Sequence, residues 1–179
     1  MDDRLHIGPF RIFSAGLDVV GHELTHGVTS NTSDLAYQNA SGALNEGMSD
    51  VFGALIEHFY KPDPVKNFTM GEGIVLGSVG LRDYIHPSTG QQPSNMAQYQ
   101  NTTQDNGGVH TNSGIINNSW YLMTIGGTND YSKTKVGYGI GWDKSAQVWY
   151  RTNSRYLTSS SDFAACARGT LSAATDLAL

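Results

Sequence analysis

The chain contains little of what marks several large classes of protein. Its 179 residues include one cysteine, Cys166, so no disulfide framework exists within the chain, and the apolar residues around Cys166 predict a buried thiol. Only 15% of the residues are charged and the net charge is -5, with no basic run of the kind that binds nucleic acid. No apolar stretch approaches the length of a membrane span. We therefore expect one globular domain without a nucleic-acid or membrane partner.

Residues 22–26 read H-E-L-T-H and form the most informative segment of the chain. On a helix, His22 and His26 lie one turn apart on the same face, where they can hold one zinc ion, and Glu23 between them can act on a zinc-bound water. Glu46 follows 20 positions after His26, at the start of a second helical pattern, and would supply a third ligand. Three protein ligands leave one position open for water, as a catalytic site requires. Two ordinary histidines on a solvated helix are the alternative interpretation.

The second helical pattern carries another carboxylate beside Glu46. Asp50 lies one turn further along the same face. One carboxylate can therefore bind the metal while the other accepts a hydrogen bond from a ligating imidazole and fixes its tautomer. A surface carboxylate is the alternative for Asp50. A separate apolar stripe on this helix consists of Leu44, Met48, Val51, Phe52, Leu55, Ile56 and Phe59.

Periodicity and turn signals predict a mainly α fold. We expect helices over about residues 16–29, 43–60, 112–126, 142–157 and 161–177. Residues 61–108 contain clusters of glycine, proline and polar residues with little periodicity. Because long irregular segments in compact domains are usually functional or held in place, we expect metal ions to pin this one.

Several blocks of the sequence resemble the thermolysin family of zinc metalloendopeptidases. They are D-V-V-G-H-E-L-T-H-G-V-T at 18–29, Y-Q-N at 37–39, S-G-A-L-N-E at 41–46, Q-D-N-G-G-V-H at 104–110 and N-S-G-I at 112–115. The similarity runs in order over roughly residues 15–177. The metzincin peptidases extend the motif to a third histidine, and they are excluded because residues 27–32 contain none.

The resemblance implies a mainly α fold, with the family's C-terminal helical catalytic domain and zinc-binding helix at residues 15–179, truncated before the last family helix. It implies that residues 1–14 are a remnant of the segment before that helix and that the family's N-terminal β domain is missing. Val19, Val20 and Leu24 of the zinc helix would then be uncovered. Since exposed apolar patches favour association, we expect self-association or marginal stability.

The resemblance also implies which residues hold the metal. His22, His26 and Glu46 bind zinc, while Asp50 supports His22 and Asn45 supports His26. Family members also use a carboxylate cluster for calcium, and the matching positions here are Asp18, Glu57, Asp63 and Glu72. We expect one calcium ion at most, because residue 69 is a threonine where members with a double site have a carboxylate. A second interpretation of residue 18 is a hydrogen-bond partner for the first histidine, one turn later.

The implied catalytic residues flank the metal. Glu23 polarises the zinc-bound water and then carries its proton to the leaving amine. Tyr37 and His110 stabilise the tetrahedral intermediate, and Asp105 orients His110. The plainer alternatives are a packing role for Tyr37 and capping roles for His110 and Asp105.

The resemblance extends to residues that contact the substrate. Arg82 would bind a substrate carbonyl, for which a surface ion pair is the alternative, and Asn112 would contact the substrate backbone. Val19 and Leu81 match parts of the family pocket that prefers a bulky apolar residue on the leaving-group side.

Three functions follow for comparison with the structure. The first is a secreted zinc endopeptidase that cleaves extracellular proteins or peptides. The second is a truncated zinc-binding fragment with weak activity or none. The third is a structural zinc module, which the intact Glu23 and the count of three ligands disfavour, since structural sites are normally closed by four protein ligands.

Overall fold

The computed structural model describes residues 6–7, 10–75, 77–78 and 80–179, and helices dominate this part of the chain. Its α-helices are α1 (Leu17–Ser30), α2 (Asn39–Tyr60), α3 (Asp105–Asn112), α4 (Gly114–Ile125), α5 (Trp142–Arg151), which continues into a π-helical turn at Thr152–Tyr156, and α6 (Phe163–Asp176). The predicted mainly α fold is confirmed. None of the helices in the described ranges has both the length and the apolar composition to cross a membrane.

Short antiparallel ribbons connect the helices. They are β1 (His6–Ile7) with β2 (Phe10–Arg11), β3 (Thr69–Met70) with β4 (Arg82–Asp83), and β5 (Gly127–Thr128) with β6 (Lys135–Val136). In the second ribbon Met70 lies opposite Arg82, and this fold-back brings Arg82 within hydrogen-bond reach of α2. Residues 1–5 and 8–9 of the predicted N-terminal remnant lie outside the described residues.

The close crossing of α1 and α2 positions the two motifs of the sequence. α2 is buried along most of its length and packs against α1, α3 and α4. A Cβ on Gly53 would lie 2.4 Å from the carbonyl oxygen of Asp18, and one on Gly21 would lie 3.0 Å from the Cα of Gly53. Because close-packed interiors do not accommodate such an added atom without movement, the glycines permit this approach. The crossing therefore sets His22, which follows Gly21, against the face of α2 that carries Asp50.

Three helix boundaries differ from the sequence prediction. α2 begins at Asn39 rather than 43, and α3 forms before the predicted start at 112. Residues 106–108 open α3 in the left-handed region, with φ of 50°, 90° and 74°. Polar and glycine-rich sequence reads as a loop, yet here it forms a tight turn in which a Cβ on Gly107 would lie 2.2 Å from Asn39 Oδ1. The predicted fourth helix changes from α to π geometry at Thr152.

Aromatic packing holds the long irregular segment that follows α2. Phe68 and Tyr84 are fully buried, and the ring centroid of Phe68 lies 5.2 Å from that of Trp120 on α4. Asn118 of α4 donates hydrogen bonds of 3.0 Å to the carbonyl oxygens of Tyr84 and Ile85. These contacts position the segment through protein groups, and its pinning by metal ions stays a prediction.

The exposure of the apolar side chains of α1 was predicted correctly in part. Leu24 is 66% exposed, as expected, but Val19 is 5% exposed and packs in the hydrophobic core. The prediction that Val19 is uncovered is therefore wrong, because the close crossing with α2 turns this side chain inwards. Val20 is half-buried. The buried thiol predicted for Cys166 is confirmed, and burial raises its pKa to about 12.

Candidate active site

Two histidines of α1 and one glutamate of α2 converge in the structure. The Nε2 atoms of His22 and His26 lie 3.0 Å apart. Glu46 places Oε2 3.5 Å from His22 Nε2 and Oε1 3.3 Å from His26 Nε2. These three residues form a group whose ligand atoms could all reach one metal ion, and we call it the histidine–glutamate site.

The hydrogen bonds on the far side of each ring determine what the converging nitrogens can do. His22 Nδ1 lies 2.8 Å from Asp50 Oδ1, and His26 Nδ1 lies 2.7 Å from Asn45 Oδ1. Both partners are acceptors, so each Nδ1 carries the proton and each Nε2 of the neutral ring presents a lone pair. Two facing lone pairs beside a carboxylate repel one another unless a positive charge lies among them. The arrangement therefore suits a cation held by both nitrogens.

Glu46 supplies a second, independent indication, although Arg82 Nη2 lies 3.9 Å from its Oε2. Its side chain is fully buried, and Oε2 has no hydrogen-bond partner among the described residues. Burial alone would raise the pKa of Glu46, but its contacts with His26 and with the Tyr37 hydroxyl, and the nearby His22 ring, lower it. A buried, ionised carboxylate with a free oxygen is costly unless it is paired or coordinates a metal. Two imidazoles and one carboxylate are a donor set that zinc accepts, so the residues fit the ion.

A buried network lies behind His22. Asp50 Oδ1 also accepts a 2.6 Å hydrogen bond from Arg82 Nη2, and Asp50 Oδ2 accepts one of 2.7 Å from Asn117 Nδ2. Burial would raise the pKa of Asp50, but the charge of Arg82 and the hydrogen bond from His22 hold it below its usual range. The predicted pairing of Asp50 with His22 is present, and Asn45 stands in the same relation to His26.

Tyr37, His110 and Asp105 border the site as the sequence predicted. The Tyr37 hydroxyl donates to Glu46 and lies 3.3 Å from His110 Nε2. His110 Nδ1 lies 2.7 Å from Asp105 Oδ1, and its backbone N–H donates to Asp105 Oδ2 at 2.8 Å. Burial and the hydrogen bond to Glu46 raise the pKa of Tyr37, so the phenol stays protonated at neutral pH. The left-handed turn at the start of α3 thus holds His110 and its carboxylate together.

An open cavity of about 530 Å³ gives access to these groups. Glu23 lines it between the two histidines and is exposed to solvent. Asp34 and Ala36 line the same cavity, which therefore extends beyond the histidine–glutamate site. The carboxylate of Glu23 therefore lies next to the candidate metal site and faces a cavity that is open to solvent.

The four residues predicted to contact substrate have different positions in the structure. Asn112 is fully buried, and its amide bonds the backbone N–H and carbonyl of Gln100 at 2.9 and 3.0 Å, so the prediction of a substrate contact is wrong. Val19 lies in the core and Leu81 packs half-buried against it, and neither lines the cavity. The side chain of Arg82 is 13% exposed, and its Nη2 donates a hydrogen bond to Asp50. The hydrophobic periodicity of α1 did not show that Val19 faces the core, and the polar residues around Asn112 did not show that its amide is buried.

Three of the four residues predicted to bind calcium are close together. Asp18, Glu57 and Glu72 form a second group whose oxygen atoms could reach one ion, and we call it the acidic cluster. Asp63 is not part of it, because its Oδ1 accepts the backbone N–H groups of Val65 and Lys66 at 3.0 and 2.9 Å and caps a turn.

The alternative role of Asp18 as a partner of His22 is also wrong. Its oxygens accept the backbone N–H groups of Val19 and Gly71, and His22 is bonded to Asp50 instead.

The sequence analysis missed two polar residues at the site. Ser49 Oγ lies 3.1 Å from His26 Nδ1, and Asn117 bonds Asp50. A usable signal existed for Asn117. It forms, with Asn118, a polar pair inside the mostly apolar helix α4, and polar residues at core positions need a partner.

A helical domain that sets two histidines of an H-E-x-x-H segment against a glutamate is typical of zinc-dependent peptidases as a class. The family model for the thermolysin metallopeptidase, alpha-helical domain, matches residues 33–178. The chain belongs to this metallopeptidase family.

Individual relatives agree with this assignment. The chain is 46% identical over 171 residues to bacillolysin of Bacillus cereus, covering 94% of this chain and 29% of the relative. It is 44% identical to thermolysin of Alicyclobacillus acidocaldarius subsp. acidocaldarius, covering 94% and 30%. The solved precursor of protealysin, a metalloproteinase from Serratia proteamaculans, is similar with a TM-score of 0.78 and 35% identity, covering 96% of this chain and 56% of that one. The chain thus spans about 30% of the length of the curated relatives it matches.

Proposed function

We propose that this chain carries the zinc site of an endopeptidase and hydrolyses peptide bonds with an activated water. One observation supports the proposal most strongly. The Nε2 atoms of His22 and His26 face each other at 3.0 Å at the edge of an open cavity. Beside them lies Glu46 Oε2, which has no hydrogen-bond partner among the described residues. When bound by these three residues, zinc supplies a Lewis acid that polarises a carbonyl and brings the pKa of water to near 7.

The remaining chemistry belongs to the side chains around the site. Glu23 accepts the proton of the attacking water and delivers it to the nitrogen of the leaving amine. The Tyr37 hydroxyl, on turning from Glu46, and His110 Nε2, when its ring carries both protons, donate hydrogen bonds to the oxyanion that forms from the peptide carbonyl. These two groups lie 3.3 Å apart. Asp105 fixes the His110 ring through Nδ1 so that Nε2 points at the site. Asp50 and Asn45 do the same for the two histidine ligands.

Substrate selection is the less specific part of the proposal. The family resemblance favours a bulky apolar residue on the leaving-group side, an extracellular location and a protein or peptide substrate. Arg82 stays a proposed substrate contact, although its Nη2 already donates to Asp50 and Met70 Sδ. Calcium is proposed for the acidic cluster, since a hard cation binds several oxygen ligands.

The alternative is a chain that binds zinc but turns over substrate slowly or not at all. It is kept because the chain covers only about 30% of its curated relatives, whose remaining length is available to contribute to catalysis.

The test compares two cleft carboxylates. Glu23→Gln removes the proposed base, whereas Asp34→Asn changes another exposed carboxylate in the same cavity and keeps a residue type that tolerates its positive φ of 51°. With casein or a blocked dipeptide as substrate, we expect Glu23→Gln to lose about 10²- to 10⁴-fold in rate. Asp34→Asn should retain its rate, and a chelator should abolish activity in the unmodified chain.

Two outcomes decide against parts of the proposal. Equal activity of Glu23→Gln and the unmodified chain would exclude the mechanism. Zinc bound to an unmodified chain that shows no activity would favour the alternative.

A further inference from the structure

We infer that Asn117 is a positioning residue for the zinc ligand His22 and acts through Asp50. The inference rests on the proposed function and concerns a side chain on α4 that touches neither the ligands nor the cavity. Asn117 Nδ2 donates to Asp50 Oδ2 at 2.7 Å, while Asp50 Oδ1 lies 2.8 Å from His22 Nδ1. Asn117 is fully buried and Asp50 is 1% exposed, so solvent does not compete for these bonds.

The carboxylate of Asp50 has two competing partners, and Asn117 determines the balance between them. Arg82 Nη2 lies 2.6 Å from the same Oδ1 that bonds His22. A guanidinium prefers to bind both oxygens of a carboxylate in a fork. Because Asn117 donates to Oδ2, a rotation of Asp50 that gave both oxygens to Arg82 would cost this hydrogen bond. Oδ1 therefore stays directed at His22 and keeps Nε2 of the ring aimed at the metal position.

The carbonyl oxygen of the Asn117 side chain, which accepts no hydrogen bond from the described residues, supports a role beyond packing. This oxygen, Oδ1, is buried. A flipped amide would place this oxygen against the carboxylate of Asp50, so the observed orientation is set by that contact alone. An orphaned buried acceptor is destabilising, and its retention here is explained by the bond that Nδ2 makes.

The neighbouring Asn118 provides a matched comparison. It is 1% exposed and lies on the same helix, but its Nδ2 donates to the carbonyl oxygens of Tyr84 and Ile85. Its Oδ1 accepts a 2.8 Å hydrogen bond from Asn129 Nδ2. Asn118 thus anchors a loop with all of its groups paired, whereas Asn117 reaches the metal site.

The experiment compares Asn117→Leu with Asn118→Leu, two substitutions of similar volume. Zinc dissociation constants are measured by competition with a chromogenic chelator, and metal-free stability is measured by thermal unfolding in excess chelator. We expect Asn117→Leu to bind zinc about 10- to 100-fold more weakly, the usual cost of losing a partner behind a metal ligand. The visible spectrum of the cobalt-loaded protein should change as well. Asn118→Leu should lose stability and keep the zinc affinity and cobalt spectrum of the unmodified chain.

Asn117→Ala serves as a second variant that adds no bulk. Equal zinc affinity in the unmodified chain and in a folded Asn117 variant would overturn this inference and leave the proposed function standing. Failure of the unmodified chain to bind zinc would overturn both. Loss of folding in both Asn117 variants while Asn118→Leu folds would assign Asn117 a structural role and also overturn the inference.

Discussion

The histidine–glutamate site and the acidic cluster are both groups that could hold a metal ion, but the protein prepares them in opposite ways. At the histidine–glutamate site each ligand has a protein partner. Asp50 bonds His22, Asn45 bonds His26 and Tyr37 bonds Glu46. The first two bonds fix the tautomers of the rings, and the third helps to lower the pKa of the glutamate, so the three candidate ligands are arranged to coordinate an ion.

The acidic cluster concentrates negative charge that the described residues do not balance. Burial raises the pKa of Asp18 and Glu72, and it raises the pKa of Glu57 to about 7 with a further contribution from the nearby Glu72 charge. Neutral donors such as Asn67 Nδ2, 3.1 Å from Glu57 Oε2, relieve this only in part. The comparison teaches that one site is preorganised by hydrogen bonds, whereas the other depends on a proton or a cation for its stability.

The largest effect should come from removing the charge behind the first site. Asp50→Asn removes the nearer anionic partner of Arg82 and leaves only Glu46, 3.9 Å from Nη2, and breaking a buried pair typically costs about 3–5 kcal/mol. Denaturant unfolding would measure the loss. Asp176→Asn, which removes the partner of Arg151 at the surface, is the control and should change little. Similar stability of the two variants would show that the network around Asp50 does not organise the site.

The next effect is on rate and separates catalysis from metal binding. Tyr37→Phe and His110→Ala should each lower kcat by about 10²- to 10³-fold, because each removes one donor to the oxyanion. Zinc content should remain unchanged, since neither side chain is a proposed ligand. Tyr138→Phe, at a tyrosine that is 93% exposed, should have full activity. A loss of zinc in either cleft variant would instead place that residue among the metal-binding groups.

A smaller effect concerns the acidic cluster, which should make the stability of the folded protein depend on pH. The folded-state pKa of Glu57, about 7, lies above its ordinary value of 4.5. Its contribution to stability is therefore present below pH 4.5 and is lost as the pH rises through about 7. In chelator, the unmodified chain should lose more stability between pH 5 and pH 8 than Glu57→Gln does.

Calcium provides the matching test of the same cluster. It should raise the unfolding temperature of the unmodified chain most at pH 8, where Glu57 is ionised, with a stabilisation of about 2.7 kcal/mol at a concentration 100 times Kd. An unchanged pH dependence in Glu57→Gln, or no effect of calcium at pH 8, would show that the cluster does not behave as described.

The motif side chains could be predicted from sequence because their arrangement is local. Helical spacing alone sets His22 and His26 on one face and Glu46 and Asp50 on another, and the structure brings the two faces together. The mainly α fold followed from the same periodicity.

The rest depends on contacts between distant segments, which periodicity does not encode. The sequence suggests that Asn112 is a polar residue near the cleft, but its amide forms hydrogen bonds with the backbone N–H and carbonyl of Gln100. Asn117 is one of few polar residues in a mostly apolar helix, and only the packing of α4 on α2 reveals its partner. Asp63 matches a calcium position in sequence, yet a local turn captures its carboxylate.

The most direct measurement of the central claim is the zinc content of three purified proteins after dialysis against zinc and then against buffer. We predict one tightly held zinc in the unmodified chain and in Glu72→Gln, which alters only the acidic cluster. Glu46→Gln should lose the ion, because it removes the anionic ligand from between the two imidazoles. Zinc retained by Glu46→Gln, or lost from Glu72→Gln, would contradict the assignment of the metal to the histidine–glutamate site.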